Sequence, residues 1–171
     1  MINDTLNDLI KVLIIKENPQ WDTEQVLFQE VLDKVKTSIY MKLTNMVVTV
    51  KADFAEAASV VFSNAYMESI FLNLITNSLR YAHPQRYPII TIKTFKQADG
   101  TTKLVYTDNG IGMNIERVKN KIFGLYQRFH NNPDGKGMGL YLIHSQITTL
   151  GGKIDVESEE GVGTTFTVTF K

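Results

Sequence analysis

The stretch Asn73-Leu-Ile-Thr-Asn77-Ser-Leu-Arg80-Tyr81 decides how this sequence is interpreted. It lies in an apolar series with helical spacing, which predicts a helix over about residues 65–82 that ends before Pro84. Asn73 and Asn77 are four residues apart and share a face, and Arg80 lies close to that face. A carboxamide oxygen suits Mg²⁺ and a guanidinium suits phosphate, so this face can bind a ligand. An amphipathic helix with its polar residues in water explains this stretch equally well.

Composition excludes several classes of protein. The chain has 171 residues, enough for one domain, with 43% hydrophobic and 21% charged residues. Eighteen basic residues balance eighteen acidic ones, so a nucleic-acid surface has no support. No cysteine is present, which excludes disulfides and thiolate metal sites. The sequence has neither a bilayer-spanning apolar run nor a secretory signal, so we expect a cytoplasmic domain whose parent protein can still be membrane-anchored.

The order of elements predicts the fold class. Helical patterns cover residues 4–16, 23–40, 65–82, 115–123 and 137–150, and strand patterns cover residues 46–50, 60–62, 89–95, 103–107, 153–158 and 164–170. Asp22 and Gln25 have the spacing of a capping box, and Ser63 or Asn64 can cap the helix that follows. Residues 124–136 are predicted to form a loop. We therefore expect an α+β fold, a two-layer sandwich of helices on a mixed, mostly antiparallel sheet.

Two glycine-containing stretches are candidates for ligand binding. Asp108-Asn-Gly110-Ile-Gly112-Met113 follows a predicted strand; its glycines allow close backbone approach, and its carboxylate can accept a hydrogen bond from an exocyclic amine. A tight turn with an Asx-type hydrogen bond is the alternative for this stretch. The second stretch, Gly135-Lys136-Gly137-Met138-Gly139-Leu140, begins a predicted helix, where first-turn amides and a lysine favour an anion. A flexible loop with a glycine N-cap is the alternative for this stretch, although its glycines cost stability that a ligand site would explain. Neither stretch matches the Walker A or the dinucleotide-binding pattern.

Taken in order, these stretches resemble the catalytic ATP-binding domain of sensor histidine kinases, a branch of the gyrase, Hsp90, histidine kinase and MutL superfamily with the Bergerat fold. Asn73–Tyr81 resembles the N box, Asp108–Met113 the G1 box, residues 122–129 the F box and Gly135–Leu140 the G2 box. The resemblance extends from about residue 20 to the end. Gly124 and Leu125 depart from the usual Glu-Pro, Arg80 replaces a common Lys, and Ser78 replaces a frequent Ala.

The resemblance implies a role for each matching residue. Asn77 is expected to ligate Mg²⁺, Asn73 to support its water shell or the phosphates, and Asp108 to accept the adenine amino group. Arg80 and Arg128 are expected to contact phosphates, and Tyr81 to pack beside the nucleotide. Gly110 and Gly112 are expected to allow close approach of the backbone, and Thr164 to make a water contact near the adenine. The expected phosphate loop consists of Gly135, Lys136, Gly137, Met138, Gly139 and Leu140. The catalytic set expected is Asn73, Arg80 and Arg128, with residues 124–136 as a lid.

The resemblance also implies the reaction and the partners. Residues 1–18 are expected to be the end of a preceding dimerisation and phosphoacceptor helix, and residues 19–171 the catalytic domain. The γ-phosphoryl group of ATP would pass to a histidine on a dimerisation domain absent from this chain and then to a response regulator receiver domain. His83, His130 and His144 do not have the setting of a phosphoacceptor. The parent is expected to be a homodimer, whereas the fragment can be a monomer that does not autophosphorylate.

Two other functions stay open at this point. One is another enzyme of the superfamily, either an ATP-driven clamp or a serine kinase. In the superfamily's ATP hydrolases a Glu occupies the position of Asn73, which argues against the clamp, and the leading helix argues against the serine kinase. The other is a degenerate domain that binds partners without using ATP.

Overall fold

The computed structural model describes residues 22–124 and 137–171. Seven strands are described: β1 Glu24–Leu27, β2 Thr49–Asp53, β3 Ser59–Phe62, β4 Ile89–Lys96, β5 Thr102–Asp108, β6 Lys153–Glu159 and β7 Gly163–Phe170. The helices described are α1 Phe28–Ser38, α2 Tyr40–Asn45, α3 Asn64–Arg80, α4 Ile115–Val118 and α5 Gly139–Thr149. Five strands form one sheet in the order β2-β4-β5-β7-β6, and β1 pairs with β3 in a separate ribbon. Only β2 and β4 are parallel within the five-stranded sheet, so the predicted mixed, mostly antiparallel sheet is confirmed.

One face of the five-stranded sheet carries the core. Side chains alternate along each strand, and Ile92, Tyr106 and Phe166 lie side by side on the buried face. Helices α1, α3 and α5 cover this face, with α3 packed between the other two. The result is the two-layer α+β sandwich that the sequence predicts.

The central helix α3 is fixed at both ends. Ser63 is its N-cap and accepts a hydrogen bond from the amide of Tyr66, as the sequence predicts. Its apolar stripe is fully buried at Ile70, Phe71, Leu74 and Ile75. The helix ends at Arg80, three residues before the His83-Pro84 pair. The polar residues of α3 therefore have a fixed position relative to the end of β5.

The prediction of a helix from residue 23 is wrong for its first turn. Residues 24–27 form β1, which pairs antiparallel with β3, so backbone pairing across the chain overrides the local helical pattern. The helical spacing of Leu27, Val31, Val35 and Ile39 predicts one buried stripe. The prediction is wrong for Leu27, which is 42% exposed, whereas the other three are buried. The Asp22 and Gln25 capping box does not form, because the helix begins at Phe28 and its N-cap, Leu27, makes no side-chain hydrogen bond.

Other element boundaries shift by a few residues. The strand predicted at residues 46–50 is β2, which runs over 49–53 because its pairing with β4 begins at Thr49 and Ile89. The helix predicted at 115–123 is helical only over Ile115–Val118 and continues as turns. The helix predicted at 4–16 and the loop residues 125–136 lie outside the described residues. Among the residues described, none of the helices is long and apolar enough to cross a bilayer.

Candidate functional site

The two asparagines of the Asn73–Tyr81 stretch face the start of α5. Asn73 donates from Nδ2 to the carbonyl oxygen of Ser69 at 2.8 Å, which leaves its Oδ1 directed away from its own helix. A Cβ built on Gly139 would lie 2.9 Å from Asn73 Oδ1 and 3.8 Å from Asn77 Nδ2. Within the described residues, nothing donates to or accepts from the Asn77 carboxamide. Both amides are half-buried, so they are accessible at the junction of α3 and α5.

Among the residues that the structure describes, no side chain caps the N-terminus of α5. Its N-cap residue, Met138, has a buried side chain that packs in the core and can contribute only backbone to a ligand. Within the same described ranges, the first-turn amides of Gly139, Leu140 and Tyr141 have no acceptor like the one that Ser63 gives to α3, and a helix N-terminus of this kind favours an anion. Gly137 has φ of 69°, a left-handed conformation that glycine adopts without strain.

At the other end of the site, Asp108 is the last residue of β5. It lies on the same face as Leu104 and Tyr106, the face that the helices cover. Its Oδ1 accepts a hydrogen bond from the amide of Gly110 at 2.9 Å, and its Oδ2 accepts one from Ser78 Oγ at 2.7 Å. An ionised carboxylate can accept about four hydrogen bonds, so each oxygen keeps capacity for a ligand.

The importance of Ser78 is missed by the sequence analysis, which treats it as a small departure from Ala. Ser78 is buried on α3, one residue beyond Asn77, and its hydroxyl also lies 2.8 Å from the hydroxyl of Tyr106. Because Ser78 has a single hydroxyl proton and donates it to Asp108, Tyr106 must be the donor to Ser78. Burial raises the pKa of Tyr106 well above its ordinary value, so this phenol stays protonated. Helix α3 thus contacts both ends of the candidate site through adjacent residues.

Thr164 lies opposite Asp108 across the β5–β7 pair. Its hydroxyl is 2.8 Å from Ser158 Oγ, which in turn donates to the carbonyl oxygen of Gly163 and accepts from the amide of Met113. Since Ser158 donates its one proton to Gly163, Thr164 donates to Ser158. Thr164 therefore lies beside Asp108 in the sheet, and its expected water contact stays a prediction; Ser158 is a second residue of this end that the sequence analysis did not select.

The glycines after Asp108 are packed against protein backbone. A Cβ on Gly110 would lie 2.6 Å from the carbonyl oxygen of Tyr81, and a Cβ on Gly112, where φ is 63°, would overlap the carbonyl oxygen of Glu159. The Tyr81 carbonyl also accepts a hydrogen bond from the amide of Ile111 at 2.9 Å. These glycines therefore let the Asp108–Met113 loop sit tightly between the end of α3 and the β6–β7 turn.

Arg86 is a further residue that the sequence analysis did not select. Its Nε donates to the carbonyl oxygen of Asn109 at 2.7 Å, and its Nη2 lies 3.0, 2.6 and 2.9 Å from the carbonyl oxygens of Gly110, Gly161 and Val162. The planar guanidinium can serve several acceptors at once. Arg86 thereby ties the segment after α3, the loop after β5 and the β6–β7 turn together, and no local sequence pattern indicates such contacts.

A groove of about 640 Å³ runs between α1, α3 and α5, and Asn73, Arg80, Met138 and Gly139 are among its lining residues, whereas Asn77 is not. Arg128, Gly135 and Lys136 lie outside the described residues. Within the described ranges, no cluster of three or more His, Cys, Asp or Glu could hold a metal ion alone. A site with one carboxamide oxygen and an open helix N-terminus instead fits Mg²⁺ whose other ligands are phosphate oxygens and water molecules.

Amides beside an open helix N-terminus, together with a fixed strand-end carboxylate, are groups suited to a ligand that carries phosphates at one end and a hydrogen-bond donor at the other. A model of the histidine kinase-, DNA gyrase B- and HSP90-like ATPase family matches residues 64–171. The chain belongs to this family, and within it the chain corresponds to the ATP-binding catalytic domain of sensor histidine kinases.

Curated relatives agree with this assignment. The chain is 35% identical over 98 residues to the methanogenesis regulatory histidine kinase FilI of Methanothrix harundinacea, covering 57% of this chain and 11% of that protein. It is 28% identical over 171 residues to the sensor histidine kinase AtsR of Burkholderia thailandensis, covering 96% of this chain and 28% of the relative. The chain therefore spans less than a third of the length of these relatives.

Solved structures share the fold. The histidine kinase AdeS of Acinetobacter baumannii matches with a TM-score of 0.76 at 19% identity, over 97% of this chain and 76% of that one. The mycobacterial sensor histidine kinase MprB matches with a TM-score of 0.71 at 20% identity, over 87% of this chain and 97% of that one. The expected fold class is confirmed by both.

Proposed function

We propose that the chain binds ATP with Mg²⁺ and, as the catalytic domain of a sensor histidine kinase, transfers the γ-phosphoryl group to a histidine of a dimerisation domain. One observation carries the proposal: adjacent residues of α3 reach both ends of the site. Asn77 faces the uncapped start of α5, and Ser78 donates to Asp108. One nucleotide lying along this helix would have its base at the carboxylate and its phosphates at the open helix N-terminus.

The roles of the residues follow from this orientation. Asp108 accepts a hydrogen bond from the adenine amino group, with Thr164 beside it. Asn77 supplies the protein oxygen to Mg²⁺, and Asn73 supports its water shell or the phosphates. The other proposed contacts are Arg80, Tyr81, Gly110, Gly112, Arg128, Gly135, Lys136, Gly137, Met138, Gly139 and Leu140. When bound, Mg²⁺ supplies neutralisation of the charge that develops on the phosphates.

The same residues oppose rapid hydrolysis of ATP. Attack by water needs a base to orient it, and the carboxamide of Asn73 cannot take a proton at neutral pH. Glu68, the nearest acid along α3, forms an ion pair with Lys34 of α1. We therefore propose slow steady-state turnover, with the bound nucleotide kept for transfer to a histidine.

The division of the chain and its partners belong to the same proposal. Residues 1–18 are the end of a dimerisation and phosphoacceptor helix, and residues 19–171 are the catalytic domain, whose first described strand is β1. The parent is a homodimer that passes the phosphoryl group to a response regulator receiver domain. Nucleic acid is not a partner, since the 18 basic and 18 acidic residues balance.

The test begins with the 171-residue chain and isothermal calorimetry. Mg²⁺-ATP is expected to bind with one site, and chelation of Mg²⁺ is expected to weaken binding. The histidine-bearing domain of the same protein, added with γ-labelled ATP, is expected to acquire acid-labile label, whereas the chain alone is not. Absence of Mg²⁺-ATP binding would favour a degenerate partner-binding domain. Rapid ATP hydrolysis that Asn73→Ala abolishes would favour an ATP-driven clamp.

A further inference from the structure

Two buried hydroxyl groups lead from the core of the sheet to Asp108. Tyr106, on the helix-facing side of β5, donates to Ser78 on α3, and Ser78 donates to Asp108 Oδ2. We name these two hydroxyls the hydroxyl relay. Tyr106 is fully buried and Ser78 is 3% exposed, so neither group has water as a substitute partner. A buried hydrogen-bonded series of this kind fixes the geometry of its members.

The hydroxyl relay and Gly110 together determine the orientation of the Asp108 carboxylate. Gly110 N–H holds Oδ1 from the loop side, and Ser78 Oγ–H holds Oδ2 from the helix side. With both oxygens held from opposite sides, the carboxylate cannot rotate about its last bond without losing a hydrogen bond. Its remaining acceptor capacity is therefore directed at one fixed place.

We infer that Ser78 and Tyr106 are positioning residues that hold Asp108 in the orientation in which it accepts the exocyclic amine of a purine nucleotide. This inference rests on the proposed function, because it assigns to Asp108 the base of the bound nucleotide. It adds two residues to the site and makes base recognition depend on a phenol that does not touch the ligand.

The direction of the relay makes the two variants of Ser78 distinguishable. Ser78→Ala removes the donor to Asp108 and also leaves the buried Tyr106 hydroxyl without its acceptor, which destabilises the fold. Ser78→Ala combined with Tyr106→Phe removes both hydroxyls, so no buried hydroxyl is left unpaired and most of the thermal stability returns. Because both variants lack the donor to Asp108, they should share the same defect in nucleotide binding.

The test measures binding of Mg²⁺-ATP and of Mg²⁺-purine riboside triphosphate, which lacks the 6-amino group. Ser78→Ala, alone or with Tyr106→Phe, is expected to raise the Kd for ATP about tenfold and to change the Kd for the analogue by less than about twofold. Added to Asp108→Ala, either is expected to cause no further loss for ATP. Thr94→Val is the control, because it removes another buried hydroxyl, which donates to the carbonyl oxygen of Ala57. It should lower thermal stability and leave both Kd values unchanged.

Each result has one meaning. Equal loss for ATP and the analogue, or no loss for ATP in the double variant, would overturn the positioning role while leaving the proposed function intact. If the unaltered chain binds no Mg²⁺-ATP, the proposed function fails, and this inference fails with it.

Discussion

The two ends of the candidate site are built in different ways. At the Asp108 end, strand register and tightly packed glycines fix the backbone, and hydrogen bonds from Ser78 and Gly110 fix the Asp108 carboxylate. At the Asn77 end, the groups converge from two helices, and no side chain in the described part of the chain hydrogen-bonds to the Asn77 amide or caps the first turn of α5. A fixed end can select a rigid base, whereas an open end can accept a hydrated cation and phosphates. Under the proposed function, base recognition and phosphoryl transfer lie at different ends of the site.

The largest expected effect comes from the open end. Asn77→Ala removes the one protein oxygen proposed for Mg²⁺, so phosphoryl transfer to the histidine-bearing domain should fall roughly 10²–10³-fold. ATP binding in excess chelator should change little, since the base contacts remain. Asn45→Ala, an exposed asparagine at the end of α2, is the matched control and should leave transfer unchanged. Equal loss of binding with and without Mg²⁺ would remove Asn77 from the metal site.

A glycine variant at each end of the site should affect the free energy of unfolding differently. At Gly112 a Cβ would overlap backbone and φ is positive, so Gly112→Ala should lower the free energy of unfolding by roughly 3 kcal/mol. At Gly139 the new Cβ would meet the side chains of Asn73 and Asn77 and no backbone among its nearest neighbours, so Gly139→Ala should fold normally and weaken Mg²⁺-ATP binding. Chemical denaturation measures the free energy of unfolding of both variants. Gly100→Ala is the control for the effect of a positive φ alone, because φ there is 86° and nothing lies within 4 Å of the added Cβ. Similar stabilities for the Gly112 and Gly139 variants would contradict the contrast.

The Asp108 carboxylate, the acceptor at the fixed end, should affect the affinity for ATP more than the rate of phosphoryl transfer. Asp108→Ala would leave the adenine amino group unpaired at a cost of about 1–3 kcal/mol, which is about a ten- to hundredfold weaker Kd. Titration with a fluorescent ATP analogue measures the change. Asp53→Ala offers a comparable carboxylate on β2 away from the site, with no change expected. If Asp108→Ala bound ATP normally, the base would have to lie elsewhere.

The smallest effect is expected at Arg86. Lysine cannot reach the four carbonyl oxygens that the guanidinium serves, so Arg86→Lys should cost about 1–2 kcal/mol of stability. Hydrogen exchange should rise at residues 109–112 and 161–163 and stay unchanged at the start of α5. Exchange that rises equally at both ends would show that the ends are not independent. Arg117→Lys, on the short helix α4, is the control.

The fold class could be predicted from the sequence, and candidate site residues could be selected, because both steps rest on local patterns. Helical spacing identified α3, alternation identified β4 and β5, and the four boxes identified Asn77 and Asp108 in the right order. The first turn of the predicted helix at residues 23–40 was wrong because β1 pairs with β3 some 35 positions away, which no local window contains.

The missed residues share the same cause. Ser78, Tyr106 and Arg86 act through partners 23 to 76 positions distant in sequence, so their roles depend on the finished fold. Ser78 offered one signal, a hydroxyl in the middle of an apolar helical stretch, at a position that helical spacing places toward the core. A buried hydroxyl needs a partner, and that requirement could have selected it for attention.

The central claim is that one nucleotide spans both ends of the site along α3. A crystal structure of the chain with Mg²⁺ and a non-hydrolysable ATP analogue tests it most directly. We expect the adenine amino group within hydrogen-bond distance of an Asp108 carboxylate oxygen, about 2.7–3.2 Å, and Mg²⁺ about 2.0–2.1 Å from Asn77 Oδ1. A purine bound away from Asp108, or a cation held without Asn77, would contradict it.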